Sequence, residues 1–364
     1  MHICKVYHPV RGGIQEVVRN IATNMQEFSH SIFTTAEDGA VFQENDEGVE
    51  IFRHRSYADV ASMPISPDLV GGVMRNLKRH DLVALHYPFP LADLSLLLSI
   101  KAPPIIVHWH SAIVAQRRLK WLVLPISIFI FLRAKAIVVS SERMMLNSRI
   151  LRRFRRKVKC IPYGISAVEN FDAQRNHGER YFVMIARHVS YKGIEDAIRA
   201  VAINSCRLII AGSGPLLERH RKFVRDQGLE AMVSFHPFLE DVELVDLVQQ
   251  SIALVLPSIT DNESFALVQL EAMRLGKPVI NTRLSTSVPW VARHDMEGLT
   301  VEPGNVEELS QAMQKLAQDP VLEARLGQKA RERFNNHFTL QHMTNGLREL
   351  YWQVMEKHPT PDPR

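Results

Sequence analysis

The stretch Ala253-Leu-Val-Leu-Pro-Ser-Ile-Thr-Asp-Asn-Glu-Ser-Phe-Ala-Leu-Val-Gln-Leu-Glu-Ala-Met-Arg-Leu-Gly-Lys-Pro-Val-Ile280 decides how the whole chain is read. An apolar run ends at Pro257-Ser258 and a polar loop follows. A helix opens near Ser264, and Gly276-Lys277-Pro278 stops it and starts the next strand. Such a strand–loop–helix–strand unit belongs to a parallel α/β sheet. Glu263 stands where loop meets helix, beyond the strand end. The backbone N–H groups of Phe265, Ala266 and Leu267 form the helix N-terminus, where free donors and the helix dipole suit a phosphate. Glu271 follows about two turns in, placed to accept both hydroxyls of a ribose.

Working outward, the same alternation recurs. Strands are expected at Tyr181–Ile185, Arg207–Ala211, Val233–His236, Ala253–Pro257, Pro278–Thr282 and Gly298–Val301, with helices between them. An earlier series reads His2–His8, His30–Thr35, Val49–His54, Leu82–His86, Ile105–His110 and Ala136–Ser140. Ile165–Gly178 is polar and aperiodic, the best linker candidate. The fold class expected is therefore α/β, with two Rossmann-like doubly wound domains facing across a cleft. The boundaries expected are 1–168, 169–345, and a C-terminal helix and tail over 346–364.

The 364 residues suit two cores rather than one. With 46% hydrophobic and 23% charged residues the chain is globular rather than disordered. Three cysteines without Cys-x-x-Cys spacing indicate neither a disulfide framework nor a zinc site, which fits a reducing compartment. The opening residues read as a strand and not a signal peptide.

Charge is concentrated. Arg117 to Cys160 holds thirteen Lys or Arg against one acid, a local excess of +12 in a chain of net +5. That suggests an anionic partner, or else a solvated basic surface. Within it, the largely apolar run Trp121–Leu132 is twelve residues long, too short to span a bilayer and interrupted by Pro125. It reads as a core helix or as an interfacial one against anionic headgroups. The region lacks interleaved exposed aromatics or a known recognition motif, so nucleic acid is not an expected partner.

Three further segments carry chemistry. Val10-Arg-Gly-Gly-Ile-Gln-Glu16 puts Gly12 and Gly13 between a strand and a helix, where backbone can approach a ligand. Ile105-Ile-Val-His-Trp-His-Ser111 puts His108 and His110 on one strand face. No third ligand at recognisable spacing supports a metal there. Ile185-Ala-Arg-His-Val-Ser-Tyr-Lys-Gly193 lets Arg187 and Lys192 converge on one anion.

Taken with the Glu263-x7-Glu271 signature, these segments resemble the family 4 retaining glycosyltransferases of the GT-B fold. The resemblance covers nearly the whole chain. It departs at Ala266, where that family usually has glycine. It implies that Arg187, Lys192 and the 265–267 amides hold the donor diphosphate and that Glu271 holds the ribose. It further implies that Glu263 and His110 reach the donor sugar, and that Gly12 and Gly13 lie against phosphate and acceptor. No metal and no cofactor are expected, because two cations can neutralise the leaving group. Trp109–Arg117 and Thr282–Trp290 look like bacterial O-antigen and exopolysaccharide mannosyltransferases. That likeness implies GDP-mannose as donor and a lipid-diphosphate-linked saccharide as acceptor. It also implies a cytoplasmic enzyme, peripheral at the inner face of the membrane through 117–160. A UDP-sugar-dependent transferase and a non-catalytic nucleotide-sugar-binding subunit are the competing expectations.

Overall fold

The computed structural model describes residues 1–10, 12–36, 42–60, 63–99, 101–111, 120–168, 180–237 and 239–358. It divides into two compact units, Met1–Tyr163 with Leu340–Arg364, and Gly164–Thr339. The chain leaves the first unit after Tyr163 rather than at 168. Of the expected linker, 169–178 lies outside the described residues, as do the tail from 359 onward and 112–119, which include the first residues of the basic region.

In unit 1 the strands are β1 (His2–Ile3), β2 (Ser31–Ala36), β3 (Phe42–Asp46), β4 (Val49–Arg55), β5 (Ala58–Val60), β6 (Met63–Ile65), β7 (Val83–Tyr87), β8 (Ile105–Trp109), β9 (Ala136–Val139) and β10 (Val158–Cys160). The main sheet runs β10-β9-β8-β7-β1-β2-β4-β3, parallel except for β3, while β5 and β6 form a separate ribbon. The helices are α1 (Gly13–Asn24), α2 (Pro67–Asn76), α3 (Pro90–Leu97), α4 (Lys120–Arg133), α5 (Glu142–Asn147) and α6 (Arg149–Arg153). β7, β8 and β9 are buried along their whole length, as parallel strands covered on both faces must be.

Unit 2 holds β11 (Phe182–Ile185), α7 (Ile194–Asn204), β12 (Leu208–Ala211), α8 (Leu217–Asp226), β13 (Val233–His236), α9 (Asp241–Gln250) and β14 (Leu254–Leu256). It continues with α10 (Val268–Arg274), β15 (Val279–Thr282), α11 (Val288–Val291), β16 (Gly298–Val301), α12 (Val306–Gln318) and α13 (Pro320–His337). Its wholly parallel sheet is ordered β13-β12-β11-β14-β15-β16, the doubly wound arrangement. The direction of winding reverses between β11 and β14, so a crevice opens beyond the carboxyl ends of those two strands. Local signals set the helices. Asp319 caps α13 with Pro320 in its first turn, and Glu240 and Glu243 form a reciprocal capping box on α9.

The last helix, α14 (Leu340–Lys357), begins before residue 346 and belongs to unit 1. Its stripe of Met343, Leu347, Leu350, Tyr351 and Val354 is buried. Polar contacts fix its register: the Tyr351 hydroxyl lies 2.8 Å from His108 Nε2, and Arg348 pairs with Glu27.

The apolar segment within the basic region forms α4, and it is two-faced. Ser127, Ile130 and Phe131 are buried, whereas Ile128, Phe129 and Leu132 are exposed, Leu132 at 62%. Pro125 does not interrupt the helix. It lies on the exposed side, where water can meet the carbonyl that its missing N–H leaves free. Lys157 Nζ closes the far end on the carbonyls of Phe131 and Leu132, at 3.1 and 2.6 Å.

On its inner side α4 meets a buried acid. Asp93 of α3 is fully buried and accepts the Ser127 hydroxyl at 2.6 Å, while its Oδ1 has no hydrogen-bond partner among the described residues. Desolvation pushes its carboxyl up to about 7. Between about pH 4 and pH 7 the folded protein therefore keeps a proton that the unfolded chain releases, so stability falls as pH rises through that window. Asp93→Asn is expected to melt less steeply with pH than wild type between pH 4 and 8, and higher than wild type above pH 7. Parallel melting curves for both proteins would refute this burial effect.

Candidate active site

Three loops of unit 2 meet at the crevice between β11 and β14, and glycines let them approach. Gly193, at φ +68, ends the loop after β11, and a Cβ there would stand 2.0 Å from the Pro257 carbonyl oxygen at the end of β14. In the loop after β12, a Cβ on Gly212 would stand 2.2 Å from the Ala186 carbonyl oxygen. One on Gly214 would stand 2.7 Å from His188 N. These positions admit only glycine. Hydrogen bonds bind the loops together: Ile259 N–H donates to the Tyr191 carbonyl (2.8 Å) and His188 N–H to that of Ser213 (2.9 Å).

This packing delivers Lys192 to Glu263. Lys192 Nζ donates to Glu263 Oε2 at 2.5 Å, and the Ser258 hydroxyl donates to the same oxygen at 2.8 Å. Both side chains are nearly buried, at 12% and 9%. Glu263 Oε1 receives no hydrogen bond among the described residues. Arg187, leaving the same strand end, is exposed and makes no ion pair among the described residues. The structure thus brings Lys192 and Glu263 into contact, with Arg187 on the same loop as Lys192.

The segment after Glu263 differs from expectation. The helix starts at Val268, so residues 265–267 form the loop before it and Glu271 lies in its first turn, not two turns in. Glu271 pairs with Arg274 at 2.5 Å, and Arg274 also reaches the Ser166 carbonyl at 3.0 Å. The delay has a cause in Ala266, whose φ of +61 is left-handed and incompatible with a right-handed helix. Glycine is at ease there and alanine is not, which explains why the resembled family uses glycine. The strain is about 1–2 kcal/mol. The Ala266 methyl packs against the buried cluster of Leu256, Leu284 and Val288, returning at most about 0.8 kcal/mol. The N–H groups of Ala266 and Leu267 donate no hydrogen bond among the described residues.

In unit 1, Gly12 is extended before α1 and Gly13 begins that helix. Arg11 lies outside the described residues. A side chain at Gly12 would meet only the end of Gln15. His110, just past β8, is fully buried and both ring nitrogens are engaged. Nδ1 lies 2.6 Å from the Tyr163 hydroxyl and Nε2 2.8 Å from His86 Nδ1. From there a file of imidazoles continues: His86 Nε2 to His2 Nδ1 (3.1 Å), His2 Nε2 to His30 Nδ1 (2.9 Å), and His30 Nε2 to the Met25 carbonyl (3.0 Å). A carbonyl only accepts, so His30 carries its proton on Nε2, and each neutral ring hands the same tautomer to the next. Burial keeps the file neutral, pushing His110 down to about 3.

Comparison with known proteins gives this geometry a family. Residues 12–164 match the family described as glycosyl transferase 4-like domain, and residues 167–333 match glycosyl transferases group 1. The chain is a GT-B glycosyltransferase. It is 26% identical to the O-antigen chain mannosyltransferase C of Escherichia coli over 98% of both chains. It is 27% identical to the D-rhamnosyltransferase WbpZ of Pseudomonas aeruginosa over 93% of this chain and 92% of that one. Among solved structures, sucrose-phosphate synthase from Thermosynechococcus elongatus superposes with a TM-score of 0.77 at 20% identity, covering 98% of each chain. Anabaena HepE in complex with UDP gives 0.74 at 17% identity, covering 97% of this chain and 99% of that one.

Sequence reasoning about this glycosyltransferase missed Ser258, Tyr163 and the histidine file. Histidines at the starts of two expected strands (His2, His30) and at the ends of two others (His86, His110) were the available signal, but only the sheet order makes them neighbours. The Lys192–Glu263 pair yields a stability prediction. Lys192→Met strands a buried carboxylate and is expected to cost about 3–5 kcal/mol. The double variant with Glu263→Gln is expected to lie within about 1–2 kcal/mol of wild type. Additive losses in denaturant titration would show that the two groups do not act as a pair.

Proposed function

We propose that this glycosyltransferase moves a hexose, mannose from GDP-mannose, to a lipid-diphosphate-linked saccharide in the assembly of a surface polysaccharide, with retention at the anomeric carbon. The observation that carries the proposal is the Lys192–Ser258–Glu263 cluster at the switch point of unit 2, with exposed Arg187 on the adjoining loop. The full-length likeness to an O-antigen mannosyltransferase supports the sugar and the acceptor class.

In this reading Lys192 holds Glu263 Oε2 and turns its remaining N–H groups to the diphosphate, while Glu263 Oε1 accepts sugar hydroxyls. Arg187 and the loop amides at 265–267 take the other phosphate oxygens, and Glu271 takes the ribose. Gly12 and Gly13 are assigned to phosphate and acceptor. His110 serves the sugar by exchanging the Tyr163 hydroxyl for a sugar hydroxyl at Nδ1, which accepts in the tautomer derived above. The bond from the anomeric carbon to the β-phosphate oxygen breaks, and a bond to the acceptor oxygen forms on the same face. The acceptor proton passes to the departing phosphate. Lys192 and Arg187 stabilise the charge growing on that phosphate, so neither a metal nor a cofactor is assigned a part.

A donor screen tests this. With a short lipid-diphosphate sugar as acceptor, GDP-mannose is expected to turn over and UDP-sugars are not, with or without EDTA. Arg187→Ala and Lys192→Ala are expected to lower kcat roughly 10²–10³-fold. Turnover of a UDP-sugar alone would overturn the donor assignment, and unchanged kcat in both variants would overturn the site.

No helix among the described residues is long and apolar enough to cross a membrane. The exposed Ile128, Phe129 and Leu132 face of α4, within the basic region, supports peripheral attachment to an anionic membrane at the cytoplasmic face. Co-flotation with anionic vesicles at low salt is expected, weakened roughly tenfold by Phe129→Glu with Leu132→Glu. Equal flotation of wild type and variant would place the contact elsewhere.

A further inference from the structure

Gln269 sits on the buried face of α10, an unexpected place for an uncharged polar side chain. Both its polar atoms are engaged. Its Nε2 donates to the Phe265 carbonyl at 2.9 Å, and its Oε1 accepts from Asn281 Nδ2 at 3.0 Å. Asn281, buried in β15, also donates to the Ala292 carbonyl at 2.8 Å and accepts from the Thr300 hydroxyl of β16 at 2.8 Å. A buried chain of polar groups thus runs from the second-last residue of the sheet's edge strand to one carbonyl in the loop after Glu263.

That carbonyl matters because a trans peptide is planar, and its C=O and N–H point in opposite directions. With the Phe265 oxygen drawn inward by Gln269, the Ala266 N–H must point the other way. The same peptide sets φ of Ala266, and turning it over would move that residue from the left-handed region to one that alanine prefers. Methyl burial does not repay the strain, so another interaction must hold the peptide in place.

We infer that Gln269, fixed by Asn281 and Thr300, is a positioning residue that holds the Phe265–Ala266 peptide in its strained orientation and keeps the Ala266 N–H directed toward the donor diphosphate. The inference rests on the diphosphate reading given above. In a chain with glycine at 266 the peptide would have no such preference to resist. Here the network compensates for alanine.

Phe265–Ala266 is the sole Phe-Ala step in the sequence, so protein labelled with carbonyl-¹³C phenylalanine and ¹⁵N alanine gives one carbonyl–amide correlation, that of Ala266. In wild type this signal is expected to shift on addition of GDP. Gln269→Met, which keeps the volume and removes the donor, is expected to move the signal before any ligand is added. It is also expected to weaken GDP binding roughly tenfold by calorimetry, since only the unflipped fraction binds. Adding Ala266→Gly to Gln269→Met is expected to restore affinity to within roughly threefold of wild type, because glycine has no left-handed penalty. A purely structural role for Gln269 would leave that double variant as weak as the single one. Thr300→Val, remote from the loop, tests the network without opening the core beneath α10, and is expected to shift the Ala266 signal in the same direction by a smaller amount. Wild-type affinity in Gln269→Met with an unmoved signal, or no rescue by glycine, overturns the inference. If wild type binds no GDP or UDP, the diphosphate reading fails and takes the inference with it. If it binds but the Ala266 signal stays still, the diphosphate lies elsewhere and only the assignment of this peptide falls.

Discussion

The organisation of unit 2 around its candidate site depends on one constraint, the placement of a nearly buried ammonium against a nearly buried carboxylate. Lys192 and Glu263 lie seventy-one residues apart, yet Nζ and Oε2 are 2.5 Å apart. Neither charge tolerates that burial alone. The contact exists because a doubly wound sheet brings the loops after β11 and β14 to the same crevice, and because Gly193 lets the first loop press against the carbonyl ending β14. Ser258 then occupies a second lone pair of the same oxygen, which leaves the opposite oxygen as the reactive face of the carboxylate. Position in the fold, and not any special property of the glutamate, gives that residue its chemical opportunity.

Much of this was legible in the chain. The six strand segments expected in unit 2 correspond to its six strands, since parallel strands covered on both faces are largely apolar. The glycine-bearing loops were legible too, because close backbone approach restricts residue choice. Short or irregular pieces were not. β3, β5 and β6 have too few residues and too little alternation to announce themselves, and β1 stops at Ile3 although apolar residues continue past it. The start of α10 is not legible in the chain, because nothing local shows that Ala266 is left-handed. The peptide that sets it is held by buried polar groups drawn from α10, β15 and β16, elements that only the fold brings together. The apolar segment 121–132 shows a related limit, since its composition does not say which side faces water. A helix can be core on one side and surface on the other, and α4 is both.

Unit 1 shows a different use of buried polarity. Desolvation raises the Asp93 carboxyl against the opposing pull of the Ser127 hydroxyl, and the pair ties α3 to α4 without an ion pair. His108 is held by the Tyr351 hydroxyl of a helix that returns from the far end of the chain. These groups contribute direction more than energy. A hydrogen bond between buried neutral partners is worth about 0.5–1.5 kcal/mol net, but it admits only one relative orientation of the elements it joins.

The file from Met25 to Tyr163 has a polarity of its own. Four imidazoles aligned in the same sense act like the peptide units of a helix, each bond polarising the next, so the far end carries the electrical signature of the near end. A turn of the backbone at Met25, which presents a carbonyl rather than an N–H, dictates that the ring at the end of β8 offers a lone pair and not a proton to whatever stands before it. No single ring can reverse alone, because doing so would set two donors or two acceptors face to face. The end of the strand therefore behaves as a fixed acceptor whose sign is written four residues deep in the protein.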